Sequence, residues 1–73
     1  GNYMTEAELL RTLGNRIKSL RTRKGLTQHY VAMKCGFAKG RMSRIEAGRV
    51  NPTIRTLHKI SRVLEIPLAE FFR

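Results

Sequence analysis

Glycine stands at positions 25, 36 and 48, and each follows a stretch whose apolar residues recur at helical spacing. Between Gly25 and Gly48 that punctuation leaves room for two short helices, a tight turn and little else. Upstream, Leu9, Leu13, Ile17 and Leu20, spaced by four, four and three, predict a first helix closed by Gly25. Thr5 followed by Glu8 is a capping-box pattern, with Met4 and Leu9 as its hydrophobic staple. Arg21, Arg23 and Lys24 fall in the last turn, where the helix dipole favours cations. Thr27 caps a second helix that ends at Gly36 and turns Val31, Ala32 and Cys35 inward. A third helix runs from about Ala38 to Gly48. Asn51-Pro52-Thr53 is a turn into a fourth, with Ile54, Leu57, Ile60 and Leu64 as its buried stripe. Pro67 suits the first turn of a short fifth helix carrying Leu68, Phe71 and Phe72. No segment alternates as a strand does, and there is no repeat, low-complexity tract or linker. The expected fold is all-α, five helices packed as one compact domain over residues 1–73.

Charge narrows the partners. Fifteen Lys and Arg stand against five acids, for a formal charge of +10. From Leu9 to Ile45 there is no acid at all, but there are ten Lys or Arg. A solvated surface mixes signs, so an acid-free run of this length points to a polyanionic partner. Catalysis finds little support. His29, His58 and Cys35 lack metal-ligand spacing, and no Ser/His/Asp or Cys/His set is visible. A protein that is not an enzyme is expected, with no metal, no cofactor and no small-molecule substrate. The single cysteine excludes an internal disulfide and fits a reducing compartment. No apolar run approaches the ~20 residues that span a bilayer, so a cytoplasmic protein is expected.

The segment from about residue 27 to 48 reads as a helix-turn-helix, whose second helix enters the DNA major groove. Ala32 is small where the helices cross, and Gly36 suits a left-handed turn position. Val31, Cys35, Phe37, Met42 and Ile45 are apolar where the helices meet. Winding the third helix at about 100° per residue with Met42 and Ile45 inward turns Gly40, Ser43, Arg44 and Ala47 outward. Lys39 flanks that face at its start, and Arg41 on one side. A glycine inside a helix costs about 1 kcal/mol relative to alanine. The gain expected at Gly40 is close approach to base edges. Arg44 is placed to read a guanine at O6 and N7, with Lys39, Gly40 and Ser43 beside it as base contacts. Gln28, at the start of the second helix, is expected on phosphate, together with Arg41, Arg49 and Asn51. His29 and Lys34 also flank the reading helix. Arg16, Lys18 and Arg23 are read as a solvated face.

The stretches "LGNRIKSLRTRKGLTQ", "VAMKCGF", "MSRIEAGRVNPT" and "LHKISRVLEIPLAEFF" carry a wider likeness. Over most of its length the chain resembles the phage-repressor-like helix-turn-helix proteins, the XRE-type group that includes lambda-type repressors and Cro. That resemblance implies a five-helix lambda-repressor-like domain, commonly a dimer on a two-fold symmetric operator. It implies phosphate contact at Gln28, base-facing positions at Lys39, Gly40 and Arg44, and a partly buried ion pair between Arg21 and Glu46. Glu46 is the one acid between Glu8 and Glu65, and an acid beside DNA needs such a partner. The apolar C-terminal segment 64–73 is expected to form a homodimer contact through Ile66, Leu68 and Phe72. The expected function is sequence-specific binding of double-stranded DNA by a transcription regulator, most simply a repressor reading an inverted repeat with helix 38–47. Such a protein would be bacterial or phage-encoded and nucleoid-associated through DNA. The competing readings are an antitoxin-type protein-interaction module that also binds DNA, and a non-specific polyanion binder.

Overall fold

A computed structural model of the chain describes residues 3–73; Gly1 and Asn2, part of the domain expected over 1–73, lie outside the described residues. Helix α1, Glu6–Arg23, begins where Thr5 is extended. Thr5 Oγ1 accepts from the Glu8 amide at 3.1 Å, and Glu8 Oε1 accepts from the Thr5 amide at 3.1 Å. That second bond holds the Glu8 carboxyl below its usual range. α1 buries Leu13, Ile17 and Leu20 on one face and ends as the Leu26 amide donates to the Arg21 carbonyl at 3.2 Å. Helix α2, Gln28–Cys35, is capped by Thr27, whose hydroxyl accepts from the Tyr30 amide at 3.0 Å. Helix α4, Ile54–Leu64, is capped in the same way by Thr53.

Two expected elements differ. The third helix, α3, spans Arg41–Glu46 and does not begin at Ala38. Gly40 has φ 81° and ψ −8°, a left-handed conformation that a right-handed helix cannot absorb. Residues 38–40 form a turn instead, closed by the Arg41 amide on the Ala38 carbonyl at 3.1 Å. Gly40 is therefore no weak point inside a helix, and the helix-interior cost does not apply to it. It permits a backbone angle that a side chain would strain. The expected fifth helix is a 3-10 helix, Leu68–Phe72, so the fold has four α-helices and a 3-10 segment among the described residues. The Glu70 amide donates to the Pro67 carbonyl at 3.0 Å, the i to i+3 spacing of a 3-10 turn.

Packing follows from the apolar stripes. α1 lies against α3, α2 sits between α3 and α4, and the 3-10 helix closes over α1 and α4. Ile17, Val31, Met42, Ile45, Ile60 and Leu64 are wholly buried at the centre, with Phe71 sealing one end. Arg16, read as solvated, instead ties α1 to the 3-10 helix. Its Nε donates to the Glu70 carbonyl at 2.9 Å, and its Nη2 pairs with Glu70 Oε2 at 3.4 Å.

Candidate nucleic-acid interface

The interface is built on a buried charge cluster. Arg21, on α1, is 7% exposed and Glu46, the last residue of α3, is 5% exposed. Arg21 Nε donates to Glu46 Oε2 at 2.6 Å and Nη2 to Oε1 at 2.9 Å, a two-pronged pairing. Arg21 Nη1 donates to the Leu26 carbonyl at 2.6 Å, so the guanidinium also pins the loop into α2. Gln28 Nε2 completes the set, donating to Glu46 Oε1 at 2.9 Å. One carboxylate thus links three elements. Its hydrogen bonds hold the Arg21 pKa above its ordinary value against the opposing effect of burial.

This cluster fixes how α3 presents its outer side. Lys39, Gly40, Ser43 and Arg44 are exposed, Lys39 and Gly40 in the turn and the other two on the helix. A Cβ on Gly40 would lie 3.0 Å from Arg44 Nη1, so the absent side chain leaves room for that guanidinium. Gln28 is half-buried at the start of α2. Its bond to Glu46 leaves the amide oxygen and the second amide hydrogen unused. Arg49 and Asn51 are exposed in the loop after α3, where the Arg49 amide donates to the Arg44 carbonyl at 2.9 Å. Arg41 is drawn aside. Its guanidinium lies 5.6 Å from the Phe37 ring centre and reaches Thr56 Oγ1 at 3.4 Å. The structure thus gathers Gln28, Lys39, Gly40 and Ser43 around one groove between α2 and α3, floored by Ala32 and Phe37. Lys34 belongs elsewhere: its ammonium sits 5.6 Å from the Tyr30 ring centre, on the α4 side of α2.

Two contributors have no signal in the motif. The bond from Gln28 to Glu46 spans 18 residues and depends on how the helices cross. Gly14 is the second. A Cβ there would meet the Ile45 carbonyl oxygen at 2.7 Å and the Glu46 carbonyl oxygen closer still, so α1 and α3 touch through backbone. A glycine inside an otherwise helix-favouring apolar stripe was the available clue.

Cys35 takes no part. Its thiol is buried, and burial pushes its pKa up, with the Lys59 charge opposing. Native protein at pH 8 is expected to react with iodoacetamide at least about tenfold more slowly than unfolded protein, since the thiolate is the nucleophile. Equal rates in the two states would place the thiol at the surface. Among the described residues no group of three or more His, Cys, Asp or Glu could hold a metal, and no helix is long and apolar enough to cross a membrane.

Comparison with known proteins gives this geometry a family. The profile of the Helix-turn-helix family (HTH_3) matches residues 17–71. The chain is 35% identical over 63 residues to the uncharacterized HTH-type transcriptional regulator y4dJ of Sinorhizobium fredii, covering 86% of this chain and 82% of that protein. It is 42% identical over 55 residues to the HTH-type transcriptional regulator SinR of Bacillus subtilis, covering 74% of this chain and half of SinR. The restriction-modification controller protein C.AhdI from Aeromonas hydrophila superposes with a TM-score of 0.83 at 32% identity, over 86% of this chain and 96% of its own. These are regulators and not enzymes, and the chain belongs to the helix-turn-helix family of DNA-binding transcriptional regulators.

Proposed function

We propose that the protein reads double-stranded DNA sequence-specifically through α3 and the turn before it, and acts as a repressor by covering promoter DNA. One observation carries this reading. Glu46, the one acid between Glu8 and Glu65, is buried and accepts three hydrogen bonds, so the outer surface from Lys39 to Arg49 carries the exposed cations Lys39, Arg44 and Arg49 and no exposed acid. Arg44 reads a guanine, with Lys39 and Ser43 beside it and Gly40 admitting the base edge. Gln28, Arg49 and Asn51 hold phosphate, and Arg41 does so if it leaves Thr56. The protein works as a cytoplasmic, nucleoid-associated homodimer. Phe72 is 55% exposed beside Leu9 and Met4 in an apolar groove, while Ile66 and Leu68 pack half-buried over the core. A two-fold pairing through this end sets the two reading helices about 34 Å apart, one turn of DNA.

Selection of bound duplexes from a random library at near-physiological salt tests this. An enriched inverted repeat is expected. Absence of enrichment, with binding that fades steeply as salt rises, would leave charge alone as the basis of binding. Arg44→Ala is expected to relax preference at one base pair per half-site by roughly tenfold, within the 1–3 kcal/mol of a bidentate contact. An unchanged selected sequence would remove Arg44 from the reading set.

A further inference from the structure

The side of α4 turned away from the core carries a second basic surface that the reading helix does not use. Arg55, His58, Lys59 and Arg62 recur at i, i+3, i+4 and i+7, and all four are exposed. Leu57, Ile60 and Leu64 occupy the opposite, buried side. Among the described residues, Arg55, Lys59 and Arg62 form no ion pair; Glu65, three residues beyond Arg62, forms none either. His58, Lys59 and Arg62 line a shallow groove with Lys34, buried Cys35 and half-buried Val63 on the α4 flank of α2. The groove carrying Lys39, Gly40 and Ser43 lies on the α3 flank and shares no residue with it. α2 therefore stands between two cationic surfaces.

We propose that this outer face of α4 binds the backbone of a second DNA duplex without reading its sequence, so that the protein holds two DNA segments together. The inference rests on α3 being the first DNA surface. The character of the stripe selects the partner. A protein partner would be anchored by a buried aromatic or aliphatic centre ringed by polar groups. Here the exposed side chains of the stripe are all basic; Val63 and Cys35 beneath them are half-buried and buried, and Ile54 stands apart at the N-terminal end. A phosphate backbone needs cations alone, tolerates a wet interface and gains from counterion release. Once α3 holds one duplex, a neighbouring segment is present at high effective concentration.

The test uses beads carrying a duplex chosen by the selection above, the full chain, and a labelled second duplex lacking that sequence. In the first arm the chain binds the bead duplex. In the second it recruits the labelled duplex. The triple variant R55Q/K59Q/R62Q changes exposed side chains only, and a thermal melt checks its folding. It is expected to bind the bead duplex within about twofold of the unaltered chain and to recruit the second duplex about tenfold less. The salt slope of recruitment should fall by up to about 3, at roughly 0.9 for each phosphate no longer neutralised. K59Q and R62Q alone should each show part of the loss. Equal recruitment by the triple variant would mean that two reading heads of a dimer do the bridging, and overturns the proposal. No recruitment by the unaltered chain overturns it too and leaves the stripe to an acidic protein surface. A triple variant that fails to bind the bead duplex would make α4 part of the first interface, again against the proposal. Failure of the unaltered chain in the first arm sinks the reading of α3, and this inference with it.

Discussion

Glu46→Ala is expected to destabilise the protein by about 3–5 kcal/mol, the range for removing one member of a buried ion pair. A chain of 73 residues has a stability of roughly 4–11 kcal/mol at 0.05–0.15 kcal/mol per residue. A loss of that size removes from about a quarter to all of it. The reason lies in what remains. Arg21 would keep its bond to the Leu26 carbonyl but lose both bonds to the carboxylate, and Gln28 would lose its partner. An uncompensated guanidinium in a site 7% exposed is costly to leave. Replacing both residues with Met tests this cause, because the stranded charge goes with the pair. The double variant R21M/E46M is expected to recover most of the loss. Denaturant midpoints for the three proteins decide it. A Glu46→Ala cost below about 1 kcal/mol would reduce the pair to the level of an exposed salt bridge. The pH dependence carries a sign. Arg21 has a raised pKa in the folded protein, so its contribution is complete below the unfolded value and is lost only as pH rises through the folded one. The difference between unaltered and Glu46→Ala protein due to Arg21 should be flat across neutral pH.

Gly14→Leu is expected to cost about 3 kcal/mol, the upper end of ordinary overpacking. Two effects oppose each other here, and their sizes decide the outcome. Leucine is a better helix former than glycine by about 0.8 kcal/mol, so local propensity predicts stabilisation. The site predicts the reverse. The first added carbon would already lie 2.7 Å from the Ile45 carbonyl oxygen, and three more carbons would have to fit behind it. The obstacle is backbone, which cannot rotate aside as a side chain can. α3 would have to move off α1, and the Arg21–Glu46 pairing that spans the same contact would stretch. Chemical denaturation gives the sign directly, and a stabilised variant would show that α1 and α3 separate at little cost. DNA binding should weaken along with stability, because the altered contact lies directly behind α3.

How far the sequence could be read divides along physical lines. Helices α1, α2 and α4 were legible because their signals are local. Thr5, Thr27 and Thr53 each cap a helix with a bond three residues away. Their apolar stripes repeat at the helix period, but the first member of two of them, Leu9 in α1 and Ile54 in α4, is exposed rather than buried, because each stands in the first turn beyond the reach of the core. Gly40 marks where local reading stops. The spacing of Met42 and Ile45 fits a helix beginning at Ala38 as well as one beginning at Arg41. Only the left-handed angle at Gly40, set by the turn between α2 and α3, distinguishes them. Arg16 fails for the same reason. Its partner Glu70 lies 54 residues on, and no window of helical spacing contains both.

By itself, then, the amino-acid order determined an all-helical chain, the caps at which α1, α2 and α4 begin, and a cationic run from Leu9 to Ile45 without an acid. Those properties follow from contacts three or four residues apart and from charge that needs no coordinates to count. The tertiary structure decided the rest. It brought Glu46 within hydrogen-bonding distance of both Arg21 and Gln28, pressed α1 onto α3 at Gly14, and put His58, Lys59 and Arg62 in a groove on the flank of α2 away from the Lys39–Ser43 groove. Each of these depends on the angle and distance at which packed helices cross. Many side chains settle that geometry together, and no short stretch of the sequence contains it.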